Sequence, residues 1–268
     1  MTPLRVAYAG FDLLDVCLDE LLRQGVEIVE IFTCKVDEDT EHSTHVRDVA
    51  RLLQVPLSDE PIRAADLRRL EQKGCDVLLS AAYYHWIPVP CDCTLRMVNV
   101  HPSLLPEGRG AWPMPVMILR GMYRGGVTIH RTVREMDAGP ILLQRPFEAE
   151  EGTNLEEMTQ LICSILPEMI GTLVRDFNSL YENAQPQSEG SYWPCPTQAD
   201  WTVTPDMSLE EADRILRAFY GFDCLYLDGG RRVMLMHGRA LPGDGPMPVI
   251  GGHIEGQIRS TVEGAISS

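Results

Sequence analysis

The chain has no apolar run long enough to cross a bilayer, and its opening residues MTPLRVAYAG lack the charged head and small-residue cleavage site of a secretory signal. Paired C-x-x-C spacing is missing as well. The cysteines at 17, 34, 75, 91, 93, 163, 195 and 224 fall mostly inside apolar runs, so they are expected to be reduced, in a cytoplasmic protein. Cys91 and Cys93 stand near His85, but a C-x-C pair without a second pair does not make a tetrahedral site, and no metal is expected. Positive charge is short: 23 Lys and Arg face 39 Asp and Glu, a net charge of −16. Such a surface repels phosphate backbones, which disfavours a nucleic-acid ligand. Arg63, Arg68 and Arg69 come closest to a basic patch and read as a solvated helix face.

Nucleotide fingerprints are absent too. The turn after the first predicted strand is Ala9-Gly10-Phe11-Asp12, and a lone glycine does not give the G-x-G-x-x-G geometry that admits a pyrophosphate. No G-x-x-x-x-G-K-[ST] occurs. These two absences argue against an NAD oxidoreductase and a nucleotide hydrolase. Gly10 is expected to form a tight strand-to-helix turn, with a secondary role in admitting substrate. There is no internal repeat.

What remains is an ordinary globular composition, 44% apolar and 23% charged, over 268 residues. That length suits one large domain with a smaller appendage. The first half alternates β-rich runs with helical patterns, which predicts an α/β, Rossmann-like, mostly parallel sheet covered on both faces. Strands are expected at 4–9, 26–34, 75–83, 96–101, 127–133 and 141–147, and helices at 12–24, near 45–53 and near 64–73. An acidic loop from Lys35 to Thr44 separates the second strand from the next helix. A long helix over 154–180 is expected to break near Pro167. The stretch 184–200 is rich in Gln, Pro, Ser and Gly and reads as a linker between a large domain at 1–183 and a small β-rich domain at 201–268. In that second part, Ser208 and Glu211 are spaced as a capping box, and a hairpin turns at Gly229-Gly230.

The most informative segment is Asn99-Val100-His101, which closes a strand and runs into Pro102-Ser103-Leu104-Leu105-Pro106. Residues two apart on a strand point to one face, so Asn99 and His101 can project together from its carboxyl end. Two polar groups sharing that face need a partner or a chemical task.

Together with Arg109-Gly110, Gly126-Val127-Thr128-Ile129-His130 and Asp137-Ala138-Gly139, this segment resembles the family of 10-formyltetrahydrofolate-dependent formyltransferases. The resemblance extends from Leu4 to about Ala240 and is most specific between Ala82 and Gln144. It implies that Asn99, His101 and Asp137 are catalytic and that Ser103 to Pro106 form the family's S-L-L-P loop. It also implies that Ala82-Tyr83-Tyr84-His85-Trp86-Ile87-Pro88 lines a folate pocket and presents backbone groups to the pterin, with Tyr84, His85, Trp86 and Ile87 as the donor-binding residues. The loop carrying Arg134 and Met136 would close the other side of that pocket. Gly10, Ser103 and Arg109 are the candidates for contact with the acceptor, although Arg109 serves equally as a brace for the Leu104-Leu105 loop.

The chemistry asks for the same residue types. An amine attacking a formyl carbon creates a tetrahedral centre with negative charge on oxygen, while the amine loses a proton and the folate nitrogen gains one. Asn99 offers a neutral amide donor. His101 can donate to the oxyanion or take the amine's proton, and Asp137 can hold the imidazole or relay the proton through water. His130 is the competing imidazole and reads as satisfied or half-exposed. Trp86 carries a modest functional lean and Trp112 a slight one.

The acceptor is written faintly. The region from Asp200-Trp201 to the strand 231–240 resembles the carboxyl-terminal domain of methionyl-tRNA formyltransferases, but the acidic charge, the short second region and the Gly10 turn depart from that pattern. Tyr83-Tyr84-His85 is closer to amino-sugar enzymes. The expected partners are therefore reduced folate and a small-molecule amine, either a nucleotide-linked amino sugar or an amino acid derivative such as hydroxyornithine. No membrane partner is expected, and a homodimer is compatible. The alternatives are a tRNA acceptor, hydrolysis of formyltetrahydrofolate, and a folate-binding module without catalysis.

Overall fold

A computed structural model of the chain describes residues 3–35 and 43–263; most of the expected loop from Lys35 to Thr44 lies outside the described residues. The residues form two compact units: 1–109, 126–147 and 162–191 in the first, and 110–125, 148–161 and 192–268 in the second.

The first unit holds a seven-stranded sheet. In chain order its strands are β1 (Arg5–Gly10), β2 (Glu27–Phe32), β3 (Leu57–Ser58), β4 (Val77–Ala81), β5 (Arg96–His101), β6 (Arg124–Arg131) and β7 (Ile141–Glu148), and across the sheet the order is β3-β2-β1-β4-β5-β6-β7. The pairs from β3 through β5 are parallel, and β6 runs antiparallel to β5. The sheet is therefore mostly parallel, as expected. Val6 to Ala9 are fully buried, which fits strands covered on both faces and explains their near-continuous apolar sequence. The helices are α1 (Val16–Arg23), α2 (Thr44–Leu53), α3 (Ala64–Gln72), α4 (Pro113–Leu119), α5 (Leu155–Glu182) and α6 (Leu209–Ala218). The short β3 and the proline-started α4 have no counterpart in the sequence-based expectations.

Gly10 ends β1 with no room for a side chain: a Cβ there would stand 2.3 Å from the Ala81 carbonyl oxygen of β4. That packing need accounts for the glycine without a substrate. Arg69 on α3 is ion-paired with Asp66 and the buried Glu30, which also binds Lys73 at 3.1 Å, so this arginine and this lysine are tied to acids.

Two expectations need correction. Pro167 does not interrupt α5, which continues past it among the buried Ile162, Leu166, Met169 and Ile170; the departure from helical geometry falls at Asp176 (φ −114°, ψ 18°). The stretch 184–200 is not one linker, because its first half belongs to the sheet unit. Gln185 exchanges two 2.8 Å backbone hydrogen bonds with Ile141, and the Ser191 carbonyl accepts from Arg109 N at 3.0 Å.

The second unit contains β8 (Thr202–Val203), β9 (Cys224–Asp228), β10 (Arg231–Pro242), β11 (Pro248–Val249) and β12 (Gly252–Glu263), in the order β11-β12-β10-β9-β8. The Gly229 turn joins β9 to β10 as predicted, while the long β12 was not anticipated. Leu216, Phe219, Tyr226, Val233, Leu235 and Ile254 form its buried interior. The capping box starts α6 as expected, with Ser208 Oγ accepting from Glu211 N at 3.2 Å and the Glu211 carboxylate accepting from Ser208 N at 2.9 Å. Trp112 packs edge-on against Phe219 and Phe222, at 5.7 and 5.1 Å between ring centroids, as an aromatic cluster of this unit. Among the described residues no helix is long and apolar enough to cross a membrane.

Candidate active site

The β4, β5 and β6 registers place Ser80, Asn99 and His130 in one row, Ser80 beside Asn99 and Asn99 opposite His130. Ser80 interrupts an otherwise apolar, buried strand, and a buried hydroxyl needs a partner. It donates to Asn99 Oδ1 at 2.7 Å. The amide NH2 of Asn99 consequently faces the other way, 3.3 Å from His130 Nε2 and 3.4 Å from Asp137 Oδ1.

The two imidazoles are polarised by main-chain carbonyls, which only accept. His101, 4% exposed, donates Nε2–H to the Gly108 carbonyl at 2.8 Å, leaving Nδ1 as the nitrogen able to take up a proton. That Nδ1 lies 3.7 Å from Asp137 Oδ2, beyond a direct hydrogen bond. His130, 2% exposed, donates Nδ1–H to the Arg131 carbonyl at 2.9 Å and turns Nε2 toward Asn99 and, at 3.5 Å, Asp137 Oδ1. Burial lowers the pKa of His101 below the usual imidazole value; the Asp137 charge and the Gly108 carbonyl oppose that shift, and nearby His130 adds to it.

Asn99, His101 and Asp137 thus converge, and His130 joins them. His130 is a satisfied, buried histidine, one of its two expected states, with one ring nitrogen on the Arg131 carbonyl and the other facing Asn99. Asp137 sits in left-handed backbone (φ 51°), as does Ala82 (φ 53°) just beyond β4. Strained, non-glycine backbone of this kind persists only where the surroundings enforce it, and it clusters at functional sites.

The other candidates divide. Tyr84 and Trp86 are exposed, at 77% and 52%, as are Arg134 and Met136. His85 is half-buried, edge-on to the rings of Tyr83 and Tyr84. The Ile87 side chain belongs instead to the core cluster with Leu67, Leu70 and Met97. The Arg134 guanidinium reaches Cys91 Sγ at 3.5 Å, joining the loop after Pro88 to the loop before Asp137.

Ser103 and Arg109 are engaged within the protein. Ser103 Oγ donates to the Glu107 carbonyl at 2.8 Å, and Thr128 Oγ1 donates to the Ser103 carbonyl at 2.7 Å while accepting from Leu105 N at 3.2 Å. These bonds close the loop that carries Gly108 to His101. Arg109, 8% exposed, donates to Gln187 Oε1 through Nε (3.0 Å) and Nη2 (2.8 Å), and to the Ser188 carbonyl at 3.1 Å. These bonds tie Arg109 to Gln187 and Ser188, and none of them reaches the Leu104-Leu105 loop or decides between its two sequence readings. Gln187 escaped notice because it lies in a stretch whose composition has no periodicity, and the place of His130 opposite Asn99 did because strand register is not written in composition.

A family model described as formyl transferase matches residues 13–170. A methionyl-tRNA formyltransferase of Thermotoga sp. (strain RQ2) is 29% identical over 213 residues, spanning 75% of this chain and 68% of the relative. Among solved structures, a 4-N formyltransferase from Francisella tularensis superposes with a TM-score of 0.68 at 19% identity, over 87% of this chain and 96% of that one. HypX from Aquifex aeolicus, solved in complex with tetrahydrofolic acid, gives a TM-score of 0.73 at 16% identity over 98% of this chain; only 44% of HypX is covered. At these identities the two structures speak to the fold.

Proposed function

The chain belongs to the formyl transferase family, and from that premise we propose that it is an N-formyltransferase moving a formyl group from 10-formyltetrahydrofolate to the amine of a small molecule. The observation that carries this reading is the convergence of Asn99, His101 and Asp137 at the carboxyl end of β5. The exposed Tyr84, Trp86 and Met136 side chains fit a flat heteroaromatic donor.

The donor supplies an electrophilic formyl carbon. The side chains of this chain then have three tasks. Asn99, with its oxygen occupied by Ser80, presents N–H groups to the oxygen that gains negative charge as the amine adds. His101 exchanges protons only at Nδ1, since its Nε2–H is held by Gly108. Asp137 lies between the two, stabilising the imidazolium while Nδ1 holds the amine's proton before its delivery to the departing folate nitrogen. Every proton lost by the amine is thereby returned to the leaving group.

A small acceptor is supported by the excess of acid, 39 Asp and Glu against 23 Lys and Arg, because such a surface cannot release many counterions from a tRNA. Amino sugars on nucleotides and amino acid derivatives such as hydroxyornithine are the classes to try. The second reading, a methionyl-tRNA acceptor, is favoured by the likeness to the Thermotoga enzyme.

The test incubates the protein with 10-formyltetrahydrofolate and a panel of amines, following tetrahydrofolate release. Amine-dependent release by one small-molecule class supports the proposal. Release only with methionyl-tRNA overturns the acceptor, release without any amine makes the protein a hydrolase, and tight folate binding without release makes it a binding module.

A further inference from the structure

Gln187 lies five residues beyond the end of α5, in the polar stretch that was read as linker. Its Nε2 donates to two main-chain carbonyls of the opposite loop, Asp137 O at 2.7 Å and Gly139 O at 2.7 Å. Its Oε1 accepts from both Nε and Nη2 of the buried Arg109. Carbonyl oxygens only accept and guanidinium nitrogens only donate, so the amide has one workable orientation and a carboxylate cannot replace it. The Arg109 charge polarises the amide and strengthens the two bonds it donates.

We propose that Gln187, gripped by Arg109, is a positioning residue that fixes the Asp137 carboxylate between His101 and Asn99 for catalysis. The inference rests on the formyl-transfer reading of this site.

Asp137 adopts the left-handed conformation, which costs every residue but glycine something and Asn and Asp least, so its neighbours have little strain to hold against. Gly139 two residues on is pressed against β6, where a Cβ would lie 1.8 Å from the Arg131 carbonyl. The backbone of this loop is further tied by Arg131 N to the Pro140 carbonyl at 2.9 Å. Gln187 spans both carbonyls between those anchors. Removing it leaves the carbonyls of Asp137 and Gly139 without these donors and lets the loop relax. The Asp137 carboxylate then drifts from distances of 3.4 to 3.7 Å at which it acts on Asn99 and His101. Displacements of about 1 Å in such arrangements cost about 100-fold in rate.

The experiment compares Gln187→Ala and Gln187→Glu with wild type in the full-length chain. Gln187→Glu keeps the length and the Arg109 contact but loses both donors. Both variants are expected to lower kcat about 10- to 100-fold with KM changed less, because neither removes a side chain assigned to the acceptor or to folate. Arg109→Lys, which keeps charge but loses the two-pronged grip, should give a partial loss that is non-additive with Gln187→Ala. The second readout is the NMR titration midpoint of His101, whose charged neighbours are Asp137 and, when protonated, His130. In Gln187→Ala and Gln187→Glu it should fall further below the wild-type value as the carboxylate that raises it recedes. Wild-type kcat with an unchanged His101 midpoint in the variants overturns the proposal, and so does a loss confined to thermal stability. If the wild type transfers no formyl group to any acceptor, the reading of function fails instead, and the His101 midpoint alone decides whether Gln187 positions Asp137.

Discussion

Asn99 and His130 stand directly opposite each other in the antiparallel register of β5 and β6, with Asn99 Nδ2 3.3 Å from His130 Nε2. Ser80 holds the oxygen end of the same amide, so its direction is set from both sides. His130→Ala should remove one of these constraints while the chain still folds. A hydrogen bond of this kind contributes about 1 kcal/mol, or about fivefold in turnover. His130→Gln, whose side-chain oxygen also accepts, should recover part of the loss, read as kcat with circular dichroism as the folding check.

Asn99→Ala and Asp137→Ala remove a donor and the carboxylate at the proposed reacting centre. Loss of one oxyanion donor costs about 100- to 1000-fold in turnover, and a loss of that size is expected for each variant. Asn99→Asp is the sharper control, because it preserves shape, abolishes the donor and adds a charge beside Asp137 Oδ1, 3.4 Å from the present Nδ2. It should be no more active than Asn99→Ala. Turnover near wild type in any of the three, with melting behaviour intact, removes the site from the chemistry.

The strand 96–101 was read from the sequence to the residue, and so were the capping box of α6 and the hairpin at Gly229. These features are local: a run of apolar residues ended by proline, a cap spaced by three, a glycine pair. Asn99, His101 and Asp137 were legible because residue type, order and spacing survive in one dimension. The place of His130 beside Asn99, and Gln187 altogether, were not. The first enters the site through cross-strand register and the second through contacts to main-chain carbonyls, and neither leaves a pattern in composition. Pro167 misled for the opposite reason, since tertiary burial on both sides of it outweighed a local helix-breaking preference. Gly10 was located correctly as a turn, but its need for glycine comes from the Ala81 carbonyl on another strand.

Gly10→Ala tests that packing. The new methyl would meet the Ala81 carbonyl oxygen at 2.3 Å and the Tyr8 hydroxyl at 2.7 Å, and backbone in mid-sheet cannot yield cheaply. Overpacking of this type costs about 1–3 kcal/mol, so a fall of that size in urea-unfolding free energy is expected. An unchanged midpoint would return Gly10 to a role at the substrate.

Ser208→Ala removes the cap of α6 in the second unit, where Ser208 Oγ and the Glu211 carboxylate each satisfy a backbone N–H. A cap of this kind is worth about 1 kcal/mol. Because the change lies outside the unit that holds Asn99, His101 and Asp137, turnover at saturating substrate should stay within twofold of wild type, about the scatter of such a comparison. The measurement pairs a thermal melt with kcat.

The pH dependence follows from two histidines of opposite sign. Burial holds His101 below its ordinary pKa of 6.5. In the unfolded chain it takes up a proton near 6.5, while the folded protein resists, so the unfolded state binds more protons as the pH falls below that value. The stability linked to His101 is therefore complete above about 6.5 and declines as the pH drops through 6.5 toward the folded pKa. His45 behaves in reverse. Its hydrogen bond to Asp19, at 2.9 Å, raises its pKa, so its contribution is present below about 6.5 and is lost as the pH rises through the folded value. The two partly cancel in wild type, and the His101 effect emerges by subtraction. In His45→Ala, unfolding free energy should fall more steeply than in wild type between pH 7 and pH 5; in His101→Asn the fall should be shallower. Activity adds an independent reading, because an imidazole already protonated at Nδ1 cannot accept the amine's proton. The acid limb of kcat/KM should accordingly have its midpoint below 6.5, the ordinary imidazole value. A midpoint above that value would mean that the Asp137 charge, not burial, governs His101.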